Sequence, residues 1–383
     1  MDKKTVLLIF SLFLMAFSTS TFLSIPGIIP IISEYFRVTY EEASLFVGLF
    51  TFILAIAGLV FPSYVSKFER KKFFIICLIV FILSSIAQIF ITNFYLALAF
   101  RLMPAFLYSS VISISLTIMS EVSPKNTNRV ILGVSSGTIF GLSITTFIGL
   151  KYGFPSVNIW LAIINIFALI FLIIFFPSMN GKKEKLELPF SNIVSTKFLV
   201  TTLFIMFVGI GVSILYNYFT IILITLTRIN DQSILSIYLL FNGFAAIFGT
   251  VFYGYFLIKN SKLAVLSYPL SFSIIIFLFG MLIRIPLAVA ILIILFGFLD
   301  GSMHTIAQYW ITSSDKEHPE FANGFYLFLN NINRTLGIFI GAFIIDNVNL
   351  HYLFIVPIML LLLSVPYVLF RIRKYPESCQ NIS

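Results

Sequence analysis

The sequence predicts an all-α membrane protein of twelve transmembrane helices, on three observations. Of its 383 residues, 60% are hydrophobic and only 10% are charged, more apolar surface than a soluble chain of this length can bury. The apolar residues fall into runs long enough to cross ~30 Å of hydrocarbon as helices, without the period-2 alternation of barrel strands. Basic residues cluster in alternate breaks between those runs, as the topology of a polytopic membrane protein requires.

The runs lie near 5–32, 43–65, 73–92, 94–118, 130–150, 157–177, 198–225, 233–257, 263–283, 286–312, 322–345 and 351–370. Backbone groups in lipid must pair internally, so each is expected to be a helix. The first run is too long for a signal-peptide core. It also lacks a small-x-small cleavage site before Pro26 and Pro30, so it is read as the first span. One set of breaks holds Lys3, Lys4, Lys67, Arg70, Lys71, Lys72, Lys125, Arg129, Lys182, Lys183, Lys185, Lys197, Lys259, Lys262, Lys316, Arg371, Arg373 and Lys374. The alternate set holds only Arg37, Lys151, Arg228 and Arg284. This bias places both termini in the cytoplasm.

The longest polar connection, 178–197 with the string GKKEKLELP, divides six spans from six. The expected organisation is an N-terminal six-helix bundle (1–177), a cytoplasmic linker (178–197) and a C-terminal six-helix bundle with a short cytoplasmic tail (198–383). The halves echo each other weakly. YVSKFERKK after the second span resembles FLIKNSKL after the eighth, and Gly137/Gly141 in the fifth resemble Gly337/Gly341 in the eleventh. Paired bundles with a site at the midplane are a common transporter design.

Several functions are excluded. The net charge of +9 lies between hydrophobic runs, so it is topogenic and not a nucleic-acid patch. The two cysteines, Cys77 in a span and Cys379 in the tail, suggest neither a disulfide framework nor a metal site. No phosphate-binding loop, nucleophile–base pair or metal cluster is present, so neither an enzyme nor a cofactor is expected.

An ionisable group at membrane depth is a functional candidate by default. Asp300, His304, Arg101 and Arg334 lie inside spans, whereas Glu34 and Asp346 lie at span ends. Asp300 falls ~21 Å along its helix from Pro286, and the antiparallel eleventh span puts Arg334 near the same depth. His304 follows Asp300 by four residues and shares its helix face. The cluster reads either as proton- or substrate-linked, or as an ion pair neutralised in a dry site. Proton carriage by Asp300 would require Arg334 to move or the substrate to compete for it. An unperturbed histidine titrates near neutral pH, but a lone span histidine such as His304 also serves as a hydrogen-bonded packing residue. Arg101 has no obvious acidic partner nearer than Glu34; its bland reading is snorkelling or capping of backbone carbonyls. Polar and aromatic residues gather at Tyr216, Asn217, Tyr218, Gln308, Tyr309, Trp310, Asn330, Asn331 and Asn333. Their tyrosines and amides suit planar or polyhydroxyl ligands, or they bond helix to helix. Tyr309 and Trp310, near the cytoplasmic end, read as interfacial belt residues.

Five strings carry a family resemblance: FLSIPGIIPIISEYFRVT, PSYVSKFERKKFF, NFYLALAFRLMPAF, EVSPKNTNRVILGVSSGTIFG and FANGFYLFLNNINRTLGIFIGAF. With them the chain resembles the major facilitator superfamily. It is most similar to the drug:proton antiporter branch with its arabinose-efflux-permease-like and purine-efflux-like proteins. The loop signature G-x-x-x-D-x-x-G-R-K is altered, with Pro62, Ser66 and Glu69 in place of Gly, Asp and Gly, leaving Arg70 and Lys71 as gating-loop residues. Span one carries Ser18, Thr19, Ser20, Thr21 and Ser24 but no acid. The resemblance implies a cavity among spans one, four, seven and ten. Tyr108, Ser109, Tyr216, Asn217, Gln308 and Asn330 are then its expected substrate contacts, and Arg101, Asp300, His304 and Arg334 its coupling charges. It implies export of a small organic molecule (drug, sugar, nucleoside or metabolite) by alternating access and proton-coupled antiport. The protein would act as a monomer in the lipid bilayer of a bacterial inner membrane. The alternatives are import by proton symport, or a non-transporting polytopic sensor or lipid-handling protein.

Overall fold

A computed structural model describes residues 3–65, 67–123, 126, 128–181, 195–227, 231–314 and 319–375. Most of the expected linker (182–194), Ser66 and Cys379 lie outside the described residues. The helices are α1 Lys3–Ser20, α2 Ile29–Phe36, α3 Tyr40–Val65, α4 Arg70–Phe90, α5 Phe94–Val122, α6 Asn128–Tyr152, α7 Phe154–Phe175, α8 Thr196–Leu226, α9 Gln232–Leu282, α10 Pro286–Thr312, α11 Pro319–Asn347 and α12 Tyr352–Lys374. No strand occurs among the described residues. Among the described residues, eleven helices are long and apolar enough to cross a membrane. Outward side chains such as Phe90, Leu287 and Met281 are largely exposed, which suits a lipid environment. The chain divides into two compact units, Met1–Leu186 and Glu187–Ser383.

The expected first span is not one continuous α-helix. A 3-10 segment, Thr21–Ile28, separates α1 from α2. Proline has no N–H, so Pro26 and Pro30 cannot donate to the carbonyls four residues back, those of Phe22 and Pro26. The Pro26 carbonyl instead takes the Ile29 N–H, one residue closer, which tightens the helix to i→i−3 bonding. Hydroxyls follow suit: Thr19 donates to the Met15 carbonyl at 2.8 Å and Thr21 to that of Ser18 at 2.6 Å. In this serine- and threonine-rich stretch side-chain donors thus supplement the backbone bonds where the helix changes pitch. At the next helix start, Thr39 and Glu42 form a reciprocal capping box, each backbone N–H meeting the other's side chain at 3.1 Å.

The long α9 also departs from regularity. Its 51 residues would extend roughly 76 Å as one helix, more than twice the hydrocarbon thickness. It breaks at Asn260, where φ is −156° and ψ is 85°. The Asn260 side chain accepts the Leu263 N–H at 3.0 Å and so caps the second half. The polar string Lys259–Lys262 marks this break in the sequence.

In the first unit, α1 and the 3-10 segment lie along α6, α3 packs on α5, and α4 on α7. Glycine allows the α6 contact. A Cβ added at Gly133 would come within 2.6 Å of the Phe13 carbonyl oxygen, and one at Gly137 would collide with that of Phe17. The spacing of four thus marks a face where two backbones touch. In the second unit α8 packs on α11 and α12, and α9 on α10 and α12. Gly337 and Gly341 again meet α8, at Ser213 and Tyr218, so the glycine echo between the halves corresponds to equivalent contacts.

Trp310 is not an interfacial belt residue: it is fully buried. The Arg371 guanidinium, itself fully buried, lies 3.9 Å from its ring centroid. Arg371 donates to the Trp310 carbonyl at 2.6 Å and to the Thr201 and Ser313 hydroxyls at 2.7 Å each. One side chain on α12 thereby holds the end of α10 and the start of α8. Such an assignment requires the tertiary fold, because none of these three acceptors is acidic.

Candidate functional site

The second unit carries a line of polar groups where α10 meets α11. Helix α10 has two exposed faces. Leu287, Ile291, Ile294 and Leu295 form one and are wholly apolar. The second carries Asp300, His304 and Gln308, spaced by four, with Asp300 half-buried and the other two exposed. At 100° per residue these three share a stripe about a third of a turn from the apolar one. Ionisable and polar side chains set apart from the lipid-suited face in this way characteristically face a bundle interior or a water-filled cavity.

Helix α11 runs antiparallel and answers with Asn323, Tyr326, Asn330 and Arg334, spaced by three and four. Gln308 donates to Asn323 at 3.1 Å. His304 Nδ1 and the Tyr326 hydroxyl are 2.6 Å apart. At the far end Asp300 and Arg334 are near enough to interact electrostatically. No ion pair within 4.0 Å joins them among the described residues. Instead the Arg334 guanidinium lies 5.3 Å from the Tyr216 ring centroid, which brings α8 into the site. Asn330 is half-buried, one turn before Arg334. Behind the line, the buried Tyr268 hydroxyl donates to the Leu299 carbonyl at 3.0 Å.

The expected site residues thus divide. Asp300, His304, Gln308, Asn330, Arg334 and Tyr216 come together. Asn217 does not join them: it is buried and donates to the Ser213 carbonyl one turn back, at 2.7 Å. Asn333 is likewise buried and bonds the Ile205 carbonyl at 3.1 Å. Sequence reasoning missed Asn323 and Tyr326, although their spacing with Asn330 and Arg334 on one helix face was a usable signal.

In the first unit the candidates are structural ties. Tyr108 and Ser20 share a hydrogen bond of 3.0 Å, joining α5 to the end of α1. Ser109 donates to the Leu54 carbonyl on α3 at 3.3 Å. Arg101 does not meet Glu34, which is exposed. It is 1% exposed and donates to the Phe22 carbonyl, with Phe22 and Phe50 ring centroids each 4.7 Å from its guanidinium.

At the start of α4, Arg70 makes a bidentate pair with Glu121 at 2.7 and 3.2 Å. Lys71 donates to the Ile173 carbonyl at 2.9 Å. Glu69 accepts from Ser178 at 2.6 Å and pairs with Lys72 at 2.9 Å. The Ser178 hydrogen bond, aided by Lys72, holds the Glu69 carboxyl below its ordinary range. The loop therefore ties α4, α5 and the segment after α7 through charges other than the missing aspartate. Among the described residues no cluster of His, Cys, Asp or Glu could hold a metal ion.

A family model described as Major Facilitator Superfamily matches residues 8–337. The chain is 22% identical over 237 residues to the uncharacterized MFS-type transporter YbcL of Bacillus subtilis, covering 60% of each chain. It is 23% identical over 279 residues to a probable sugar efflux transporter of Mannheimia succiniciproducens, covering 69% of this chain and 68% of that one. Among solved structures it resembles a point mutant of the nucleoside transporter NupG, with a TM-score of 0.73 and 13% identity over 97% of this chain and all of that one. A bacterial homolog of the human lysosomal transporter Spinster gives a TM-score of 0.72 at 13% identity over all of both chains. These two likenesses are of fold.

Proposed function

The chain belongs to the Major Facilitator Superfamily and is a multi-pass membrane transporter, and on that premise we propose that it exports a small polyhydroxylated solute, a sugar or sugar-like metabolite. The observation that carries this reading is the α10–α11 polar line. Its rungs are neutral groups that both donate and accept: two amides, an imidazole and a phenol. A sugar hydroxyl also donates and accepts, so it can replace either member of a rung without leaving the other unpaired. A lipophilic cation would lack that match, and Arg334 stands beside the one carboxylate. The relatives named as probable sugar efflux transporters support the same class.

Transport proceeds by alternating access, driven by exchange for protons, with Asp300 as the proton-bearing group and Arg334 as its electrostatic counterpart. In an antiporter of this kind, substrate and proton compete for the same line. The α9 helix counts as two crossings on this reading, giving twelve spans with both termini in the cytoplasm of a bacterial cell. A nucleoside is the second substrate class, because its ribose carries the same hydroxyls and the fold is similar to that of a nucleoside transporter.

Melting of the purified protein checks the binding half of this reading. A bound ligand stabilises in proportion to the logarithm of its concentration over Kd. Millimolar sugars are expected to raise the melting temperature, and Gln308→Ala or Tyr326→Phe to abolish that rise. A rise with nucleosides alone would change the substrate class. No rise with either would count against the polar line as the binding site.

A further inference from the structure

Asp300 is the one carboxylate of α10, and the backbone carbonyls on either side of it are both held from α9. Tyr268 donates to the Leu299 carbonyl at 3.0 Å. Thr250 shares its hydroxyl proton between the Gly301 carbonyl at 3.0 Å and the Ala246 carbonyl of its own helix at 2.9 Å. The two donors come from different halves of α9, on either side of the break at Asn260. A third tie lies two turns from Thr250, where Asn242 donates to the Ile293 carbonyl at 3.0 Å. Asn242 with Ile293 and Thr250 with Gly301 are each 51 residues apart in sequence, so the first half of α9 runs parallel to α10. Glycine lets the two backbones touch. A Cβ added at Gly297 would collide with the Asn242 carbonyl, and one at Gly301 with that of Ala246.

We infer that Tyr268 and Thr250 are positioning residues for Asp300: they hold the carbonyls before and after it, and so fix the direction in which the line Asp300, His304 and Gln308 faces α11. Neither bond is needed to satisfy the backbone. Leu299 and Gly301 lie inside α10, where each carbonyl accepts the N–H four residues on, and the side-chain donors use its second lone pair. What the added bonds supply is a constraint on rotation of α10 about its own axis. A glycine face permits close approach but carries no side chains to interlock, so polar ties have to set the rotation. Tyr268 is fully buried, and its ring meets those of Tyr253 and Phe272 edge-on at 5.8 and 5.7 Å. Its hydroxyl is thus delivered by a side chain with little freedom. Ser302 shows the contrasting case: it bonds the Phe298 carbonyl of its own helix at 2.6 Å and constrains nothing between helices. The consequence for transport rests on the reading of Asp300 as the proton-bearing group, whereas the orientation does not.

Cross-linking of the full-length purified protein tests the orientation without substrate or gradient. In a background carrying Cys77→Ala and Cys379→Ala, a short bis-maleimide bridges Gln308→Cys on α10 to Asn323→Cys on α11. Tyr268→Phe and Thr250→Val should each slow bridging about threefold, and together about tenfold, the effect of losing one and two neutral hydrogen bonds. Thr250→Ser keeps the hydroxyl and should bridge at the parental rate. Labelling of Gln308→Cys alone by a monofunctional maleimide should not change. Unchanged bridging in the double variant overturns the inference, as does equal slowing by Thr250→Ser and Thr250→Val. A lower melting temperature with unchanged bridging makes both residues merely structural and overturns it too. If the double variant does not accumulate, the comparison of Thr250→Val with Thr250→Ser decides alone. In vesicles the double variant should lose gradient-driven flux and keep counterflow, with no further loss on adding Asp300→Asn. Full coupling in Asp300→Asn would refute the proton-bearing reading and leave the orientation to be decided by bridging. Loss of coupling in Asp300→Asn, with full coupling in the double variant, would refute the positioning.

Discussion

Replacing Asp300 with Asn should abolish gradient-driven flux while leaving a folded protein. Asp300 is half-buried on the exposed polar stripe of α10 and makes no ion pair within 4.0 Å among the described residues. Its loss as a charge therefore breaks no direct contact, and the change in stability should stay within about 1 kcal/mol. Asparagine keeps the shape and a hydrogen-bonding capacity but cannot exchange a proton. Net flux against a substrate gradient should fall roughly tenfold or more, equivalent to at least about 1.4 kcal/mol. Substrate exchange without a gradient should persist, since it needs no proton. Paired assays of gradient-driven uptake and of counterflow distinguish these. Equal loss of both, with an intact melting curve, would place Asp300 in substrate binding. Loss of the folded protein would make it structural.

Arg371→Ala should produce the largest stability loss. The side chain is fully buried and donates to three acceptors on two helices, while its guanidinium stacks on Trp310. Removing it strips a partner from the buried Trp310 carbonyl and from two hydroxyls. Deleting one member of a buried charged network costs about 3–5 kcal/mol. For a unit of this size that corresponds to a melting temperature lower by about 10 °C or more. Arg373, exposed two residues later, supplies the control: Arg373→Ala should change stability by less than about 0.5 kcal/mol. Equal effects of the two substitutions would contradict the clamp.

Span positions were legible in the sequence because lipid as solvent imposes one rule on all of them, a long apolar run cut by charges. Even the α9 break was visible, since Lys259 to Lys262 cannot sit in hydrocarbon. The stripe Asp300, His304 and Gln308 was legible because i+4 spacing is a property of one helix. Its partners on α11 were not, because pairing depends on the relative register of two helices. Asn217 was misplaced for the same reason: composition marks it as polar, and only rotation of α8 decides that it turns inward. Arg101 was sought beside a carboxylate, whereas its acceptor is a backbone carbonyl that no side chain announces. Trp310 looked like a belt residue until Arg371 was found stacked on it.

Uptake into inverted membrane vesicles carrying an imposed proton gradient tests the central claim most directly. The labelled panel should hold sugars, nucleosides and cationic dyes. Proton-driven sugar export predicts accumulation of a sugar that collapses when the gradient is dissipated and is lost in Asp300→Asn. Accumulation of a sugar only in right-side-out vesicles would show import by symport. Indifference of every compound to the gradient, with the protein folded, would contradict proton-coupled export.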